Sequence, residues 1–147
     1  MWKASGDANV DVWEVDLSTG VLSRMTSDPA ADNDATWAPD GTRVAFSSTR
    51  SGRRAVYVKD VASGREELVA SIADAALAVD GWTPDGRSLV VRQTVAASKI
   101  YLVAPDGDRL EVTAREAAVR REAFGEDQAI ACGGRERVVV QGQPTAD

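Results

Sequence analysis

Apolar and polar residues alternate along this chain in short bursts rather than at helical spacing. "TRVAFSS" (Thr42 to Ser48), "RAVYVKD" (Arg54 to Asp60), "RSLVVR" (Arg87 to Arg92) and "SKIYLV" (Ser98 to Val103) gather β-branched and aromatic residues over six or seven positions. Each burst is bounded by Gly, Ser, Asp or Pro, which is the pattern of short strands joined by tight turns. Two of the turns are near copies: "TWAPDGTRVAF" (Thr36 to Phe46) and "GWTPDGRSLVV" (Gly81 to Val91) place Trp37 on Trp82, Pro39 on Pro84, Asp40 on Asp85 and Gly41 on Gly86. The corner has a mechanism. Pro presets φ at the first central position, Asp bonds its own backbone at the next, and Gly accepts the positive φ that closes the hairpin.

The repeat extends beyond the corners at a period of about 45 residues. "RAVYVKDVASGREELV" (Arg54 to Val69) matches "SKIYLVAPDGDRLEV" (Ser98 to Val112), and "DVWEVDLSTGVLSRMT" (Asp11 to Thr26) overlays the same segment with Trp13 in the place of Tyr57 and Tyr101. A unit therefore reads as four antiparallel strands. One such unit holds "DATWA", "TRVAFSS", "RAVYVKD" and "REELVA"; the next holds "VDGWT", "RSLVVR", "SKIYLV" and "RLEVT". A single twisted four-stranded sheet cannot bury both faces, so copies must stack face to face around an axis. The expected fold is all-β: β-propeller blades in an open arc of about three to four, divided as a partial blade 1–28, blades 29–71 and 72–114, and a degenerate partial blade 115–147.

These residues resemble the TolB-like β-propeller repeats, relatives of the WD-repeat propellers whose blades carry a Trp-Ser-Pro-Asp-Gly turn. "WAPDGTRVAFSSTRSGRRAVYVKD" (Trp37 to Asp60) departs from that pattern by Ala38 where Ser is usual, and "WTPDGRSLVVRQTVAASKIYLV" (Trp82 to Val103) by Thr83. The resemblance covers most of residues 2 to 114. It implies a non-catalytic module that binds a protein or peptide on its loop rim or across the blade axis, without a cofactor. Similar blades occur in periplasmic TolB, in the propellers of prolyl-oligopeptidase-type peptidases and in the extracytoplasmic ends of bacterial kinases and regulators, so the alternatives are a peptidase propeller or a sensor end.

The C-terminal third departs from the repeat. "AREAAVRREAFGEDQAIACGGRERVVVQGQPTAD" has "GEDQ" where the corner belongs, while "ERVVVQGQPT" suits a third strand. Ala114 to Phe124 also admits a helix, because Ala, Glu and Arg are strong formers and Glu116 to Arg120 is a favourable i,i+4 pair. An arc built this way is expected to leave apolar blade faces bare and open to self-association.

Composition narrows the chemistry. The 147 residues carry 17 basic and 23 acidic side chains, a net charge of -6, which argues against a nucleic-acid footprint. There is no His, so the commonest metal ligand and general base is missing, and no Ser-His-Asp set can be assembled. Cys132 is the single cysteine and reads as a small apolar group. No signal peptide or membrane-spanning segment is visible.

Two clusters remain as candidate sites. "SDPAADNDA" brings Asp28, Asp32, Asn33 and Asp34 together, oxygen groups that could ligate Ca²⁺ but without the Gly and distal Glu of an EF-hand, so a solvated loop is the default. "STRSGRR" offers Arg50, Arg53 and Arg54 between the second and third strands, a connection that in a propeller emerges beside the Asp-rich linker. Asp32, Asp34, Arg50, Arg53 and Arg54 thus form an expected mixed-charge interaction rim. Trp37, Tyr57, Trp82 and Tyr101 are expected in the core, and Pro39, Asp40, Gly41, Pro84, Asp85 and Gly86 in turns.

Overall fold

The computed structural model describes residues 10–94, 99–105, 109–112, 130–132 and 135–142. Among them lie twelve strands and no helix: β1 (Asp11–Asp16), β2 (Leu22–Arg24), β3 (Asp32–Trp37), β4 (Arg43–Ser48), β5 (Ala55–Asp60), β6 (Glu66–Ala70), β7 (Leu77–Trp82), β8 (Leu89–Gln93), β9 (Ile100–Val103), β10 (Arg109–Val112), β11 (Ile130–Cys132) and β12 (Arg135–Gly142). They form three antiparallel four-stranded sheets in the orders β11-β12-β1-β2, β3-β4-β5-β6 and β7-β8-β9-β10. The architecture is a set of open propeller blades, as the repeat pattern predicts.

The second and third sheets are each a continuous meander, because each turn is set locally. In the Ala38–Gly41 corner the Gly41 N–H donates to the Ala38 carbonyl at 2.8 Å, and Ala38 N–H donates to Arg43 at 2.8 Å. The Thr83–Gly86 corner repeats both bonds, from Gly86 to Thr83 and from Thr83 to Ser88, at 2.8 Å each. Gly41 and Gly86 both sit at φ 67, the left-handed conformation that a β-carbon disfavours.

The first sheet is assembled from both ends of the chain. β12 pairs antiparallel with β1 in an unbroken register from Asp11↔Gly142 to Asp16↔Arg137, and β11 pairs with β12. The sequence pattern places Glu136–Thr145 third in a separate unit; in the structure β12 takes the second place in the sheet that contains β1 and β2. Strand propensity alone cannot choose between partners, and the pairing is decided by a neighbour far away in sequence. The Ala114–Phe124 alternative lies outside the described residues.

Two cores join the three sheets. Between the first and second, Val12 and Met25 pack with Trp37, Val44, Phe46, Ala55 and Tyr57. Between the second and third, Val56, Val58 and Val69 meet Leu77, Trp82, Leu89, Val91, Tyr101 and Val103. The matched residues do matched work: Tyr57 faces the first sheet and Tyr101 faces the second, each one sheet back along the repeat. The corners also dock on each other, since a β-carbon at Gly86 would lie 3.6 Å from Pro39 Cδ. The Trp82 indole N–H reaches back to the Thr36 carbonyl at 3.3 Å. On the other face of the third sheet Val90 and Leu102 form a separate small apolar cluster with Ile100.

Candidate functional site

The upper rim of the second sheet is the end where the 49–54 connection and the 27–31 segment meet. Asp32 opens β3 opposite Ser48, the last residue of β4, so their following and preceding loops are forced together. The expected rim residues are therefore brought into contact, but with each other. Arg50 folds back across the sheet face, with its guanidinium carbon 4.8 Å from the Tyr57 ring centroid and 5.2 Å from that of Phe46. Its Nη2 donates to Asp32 Oδ2 at 2.9 Å, its Nη1 donates to Glu66 Oε2, its Nε donates to Ser48 Oγ at 3.0 Å, and Asp28 Oδ2 stands 3.8 Å away. Burial alone would lower the Arg50 pKa, but the bonds to Glu66 and Asp32 outweigh it and hold it above its ordinary value.

This arrangement makes Arg50 an internal strut, with its side chain 16% exposed and Asp32 wholly buried. Glu66 carries the chain of charge onward to Lys59 at 3.1 Å, and the Lys59 ammonium donates to the Met25 carbonyl of the first sheet. The remaining rim residues keep part or all of their side chains accessible. Arg53 is exposed, with Nη1 3.5 Å from the Ile72 carbonyl, while Arg54 Nη1 lies 3.7 Å from Asp34 Oδ2. Asp34 sits in the β-bulge of β3, at φ 53, and accepts from Ser47 Oγ at 2.6 Å. Such a bulge re-aims a side chain at a sheet end. The three carboxylates Asp28, Asp32 and Asp34 direct their described contacts to Arg50, Arg54, Ser47 and the Ala30 N–H rather than to a common point, and Asn33 accepts from Ser47 Oγ through its backbone carbonyl at 3.2 Å.

Sequence reasoning missed Glu66, Lys59 and the Asp80–Arg92 pair. Arg92 donates to Asp80 Oδ1 through Nε and Nη2, both at 3.2 Å, beside the equivalent bulge of β7. An acid and a base in neighbouring strands carry no marker until the register is known. Cys132 lies in β11.

The lower rim is built from the turns. Asp40 Oδ1 accepts from the Thr42 N–H at 2.9 Å and its hydroxyl at 2.8 Å; Asp85 Oδ1 accepts from the Thr83 hydroxyl at 2.5 Å and the Arg87 N–H at 3.0 Å. Asp60 does the same in the β5–β6 hairpin, accepting from the Ser63 hydroxyl at 2.6 Å and N–H at 2.8 Å. These bonds stabilise the charged form, so all three carboxyls titrate below their ordinary value: Asp40 chiefly through the Thr42 amide, Asp60 and Asp85 chiefly through the Ser63 and Thr83 hydroxyls. A carboxyl depressed in the folded state adds stability that is present above its unfolded pKa and is lost as pH falls through the folded one. Urea midpoints should therefore stay flat in this respect above about pH 5 and decline below about pH 4. The triple variant Asp40→Asn, Asp60→Asn, Asp85→Asn should show a shallower decline; an unchanged acid limb would contradict the assignment.

Three comparisons bear on this geometry. A family profile described as "TolB beta propeller domain" matches residues 2–125. Among curated proteins, the chain is 37% identical over 84 residues to "Tricorn protease homolog 1" of Streptomyces coelicolor, covering 57% of this chain and 8% of that protein. It is 28% identical over 98 residues to "Protein TolB homolog" of Chlorobium luteolum, covering 66% of this chain and 22% of that one. Among solved structures, TolB from Acinetobacter baumannii aligns with a TM-score of 0.63 at 26% identity, over 75% of this chain and 28% of that one. A second, titled putative TolB from Agrobacterium tumefaciens, shares the fold with a TM-score of 0.60 at 17% identity, over 91% and 51%. The chain thus spans about a quarter or less of the curated relatives it matches.

Proposed function

The chain belongs to the TolB β-propeller family, and on that premise we propose that it is a non-catalytic interaction module that binds a protein segment at its upper rim. Blades 29–71 and 72–114 are its repeating units, and residues 1–28 and 115–147 contribute strands to a shared blade. The observation that carries the reading is the division of labour among the rim charges. Arg50 is committed to Asp32 and Glu66, which fixes the rim, while Arg53 is exposed and Arg54 and Asp34 are half-buried on the loop and bulge it fixes. A rigid scaffold presenting charged loop residues is suited to selecting a partner by charge complementarity.

The test is a charge reversal. Arg53→Glu with Arg54→Gln, which avoids setting a second carboxylate against Asp34, should weaken binding to acidic members of an array of charged peptides by roughly tenfold while changing the melting temperature little. Equal binding by the parent and the reversed chain would remove the rim from the proposal. Hydrolysis of peptide or ester substrates by the isolated chain would remove its non-catalytic half.

A second reading is favoured by the 37% identity to a tricorn protease homologue: the chain is a propeller region serving a protease. The flanking coding sequence separates the two. A hydrolase nucleophile elbow in the same frame supports the protease reading, and a kinase catalytic loop or membrane helix supports a sensor.

A further inference from the structure

We propose that two copies of this chain exchange β11 and β12 and close one ring of six sheets, each copy's last two strands completing the first sheet of the other. The reason lies in the order of the sheets. The core around Phe46 joins the first sheet to the second and the core around Leu77 and Leu89 joins the second to the third, so the first and third sheets lie on opposite sides of the second. Yet β11 and β12, which follow the third sheet in the chain, complete the first. Within one copy they return past the second sheet. In a ring of two copies the sheet that follows the third is the first sheet of the second copy, so β11 and β12 meet an identical β1 edge at the next place around the axis. Every pairing from Asp11↔Gly142 to Asp16↔Arg137 is then kept, between copies instead of within one. Such an exchange sacrifices few contacts, because the exchanged element makes the same ones in either form.

The two ends of the arc are matched for this. On the third sheet Leu89, Val91, Tyr101 and Val103 face the second, so strand alternation turns Val90, Ile100 and Leu102 the other way, where they form their own apolar cluster. At the repeat distance these three take the places of Ala45, Val56 and Val58, with which the second sheet receives the third. On the first sheet Val12 faces the second, so its neighbour Trp13 points backward, in the place from which Tyr57 and Tyr101 each pack on the preceding sheet. The Trp13 indole N–H is buried and has no hydrogen-bond partner among the described residues, a donor that a packed neighbouring sheet would engage. Among those residues no core joins the third sheet to the first. A contact of this head-to-tail kind closes only when whole copies fill a ring. Closed propellers hold about four to eight sheets, so the three of one copy are too few, the nine of three copies too many, and the six of two copies fit. One copy likewise covers 51% of the putative TolB chain whose fold it shares, so two copies match its extent.

The test has two parts, both on the full chain. Sedimentation of the parent chain is expected to give twice the chain mass, with dissociation only below roughly 1 μM. A second sample carries Glu14→Cys, Val139→Cys and Cys132→Ala, which sets one cysteine on each side of the β1–β12 ladder and removes the native one. Opposed residues of an antiparallel pair lie within reach of a disulfide. Oxidation followed by denaturing, non-reducing electrophoresis should then show a covalent dimer. A bond confined to single chains overturns the exchange even if the chain dimerises, since the sheet faces would then associate without it. A parent chain that stays monomeric at about 100 μM overturns the ring, and so does a trimer or an open-ended polymer. Failure of any disulfide to form would remove the β1–β12 pairing itself, and the exchange with it. None of these outcomes depends on what the upper rim binds.

Discussion

Replacing Arg50 with alanine is expected to cost about 3–5 kcal/mol, and to lower Tm on the order of 10 °C. The loss does not come from an attractive contact in water, where an ion pair contributes at most about 1 kcal/mol. It comes from what the substitution leaves behind. Asp32 is fully buried, Arg50 is the partner of its Oδ2, and among the described residues its Oδ1 has no hydrogen-bond partner. Without Arg50 the carboxylate is a buried charge with nothing opposite it. Removing that charge as well should therefore recover part of the loss, so Asp32→Asn with Arg50→Ala should be more stable than Arg50→Ala alone. Urea denaturation of the single and double variants separates this from a simple loss of packing over Phe46 and Tyr57, which the Asp32 substitution would not restore.

The repeat itself supplies the rescue. The third sheet has Leu77 at the position of Asp32, wholly buried and paired with Gln93 as Asp32 is paired with Ser48. Asp32→Leu with Arg50→Met should recover most of the stability lost by Arg50→Ala, because two apolar groups of similar volume replace a pair whose desolvation offsets its attraction. Recovery with loss of rim binding would place the ion pair in function; recovery with binding intact would leave it as one of two equivalent solutions to the same packing problem. A double variant as unstable as Arg50→Ala would refute the buried-charge account.

What the sequence made legible follows the reach of each interaction. The eight strands from Asp32 to Val112 were readable because the pairings within each sheet close nearby turns, and the β3–β4, β4–β5, β5–β6 and β7–β8 turns each hold a glycine in the left-handed region, Gly41, Gly52, Gly64 and Gly86. The core places of Trp37, Trp82, Tyr57 and Tyr101 were readable because they recur. The inward turn of Arg50 was not, since an arginine between "ST" and "SG" has the composition of a solvated hairpin tip. Only the tertiary placement of Asp32 and Glu66, at opposite ends of the second sheet, draws it across the aromatic face. The Asp80–Arg92 pair was hidden for a related reason: its meaning depends on a bulge between Val79 and Gly81 that shifts the register.

The sheet shared by the two ends of the chain is the least legible feature and the one with the largest expected effect. Removing residues 130–147 deletes β11 and β12 and leaves β1 and β2 as a two-stranded hairpin, an element that is marginal at best in water. Val12 and Met25 are then carried by that hairpin alone, so the core they share with Trp37, Phe46 and Tyr57 loses one wall. Truncation should abolish the single cooperative melt and produce dye-binding exposed apolar surface. Because a truncated chain can fail for several reasons, an intact chain with Val139→Pro gives the sharper measurement. Val139 lies opposite Glu14 in the middle of the β12–β1 ladder, and proline there removes a donor and distorts a central strand, at a cost of about 3 kcal/mol or more. Hydrogen exchange should then accelerate selectively in Asp11–Asp16 while the second and third sheets remain protected. Unchanged protection of β1 in the proline variant, with the parent Tm retained, would mean that the two ends of the chain do not share a sheet.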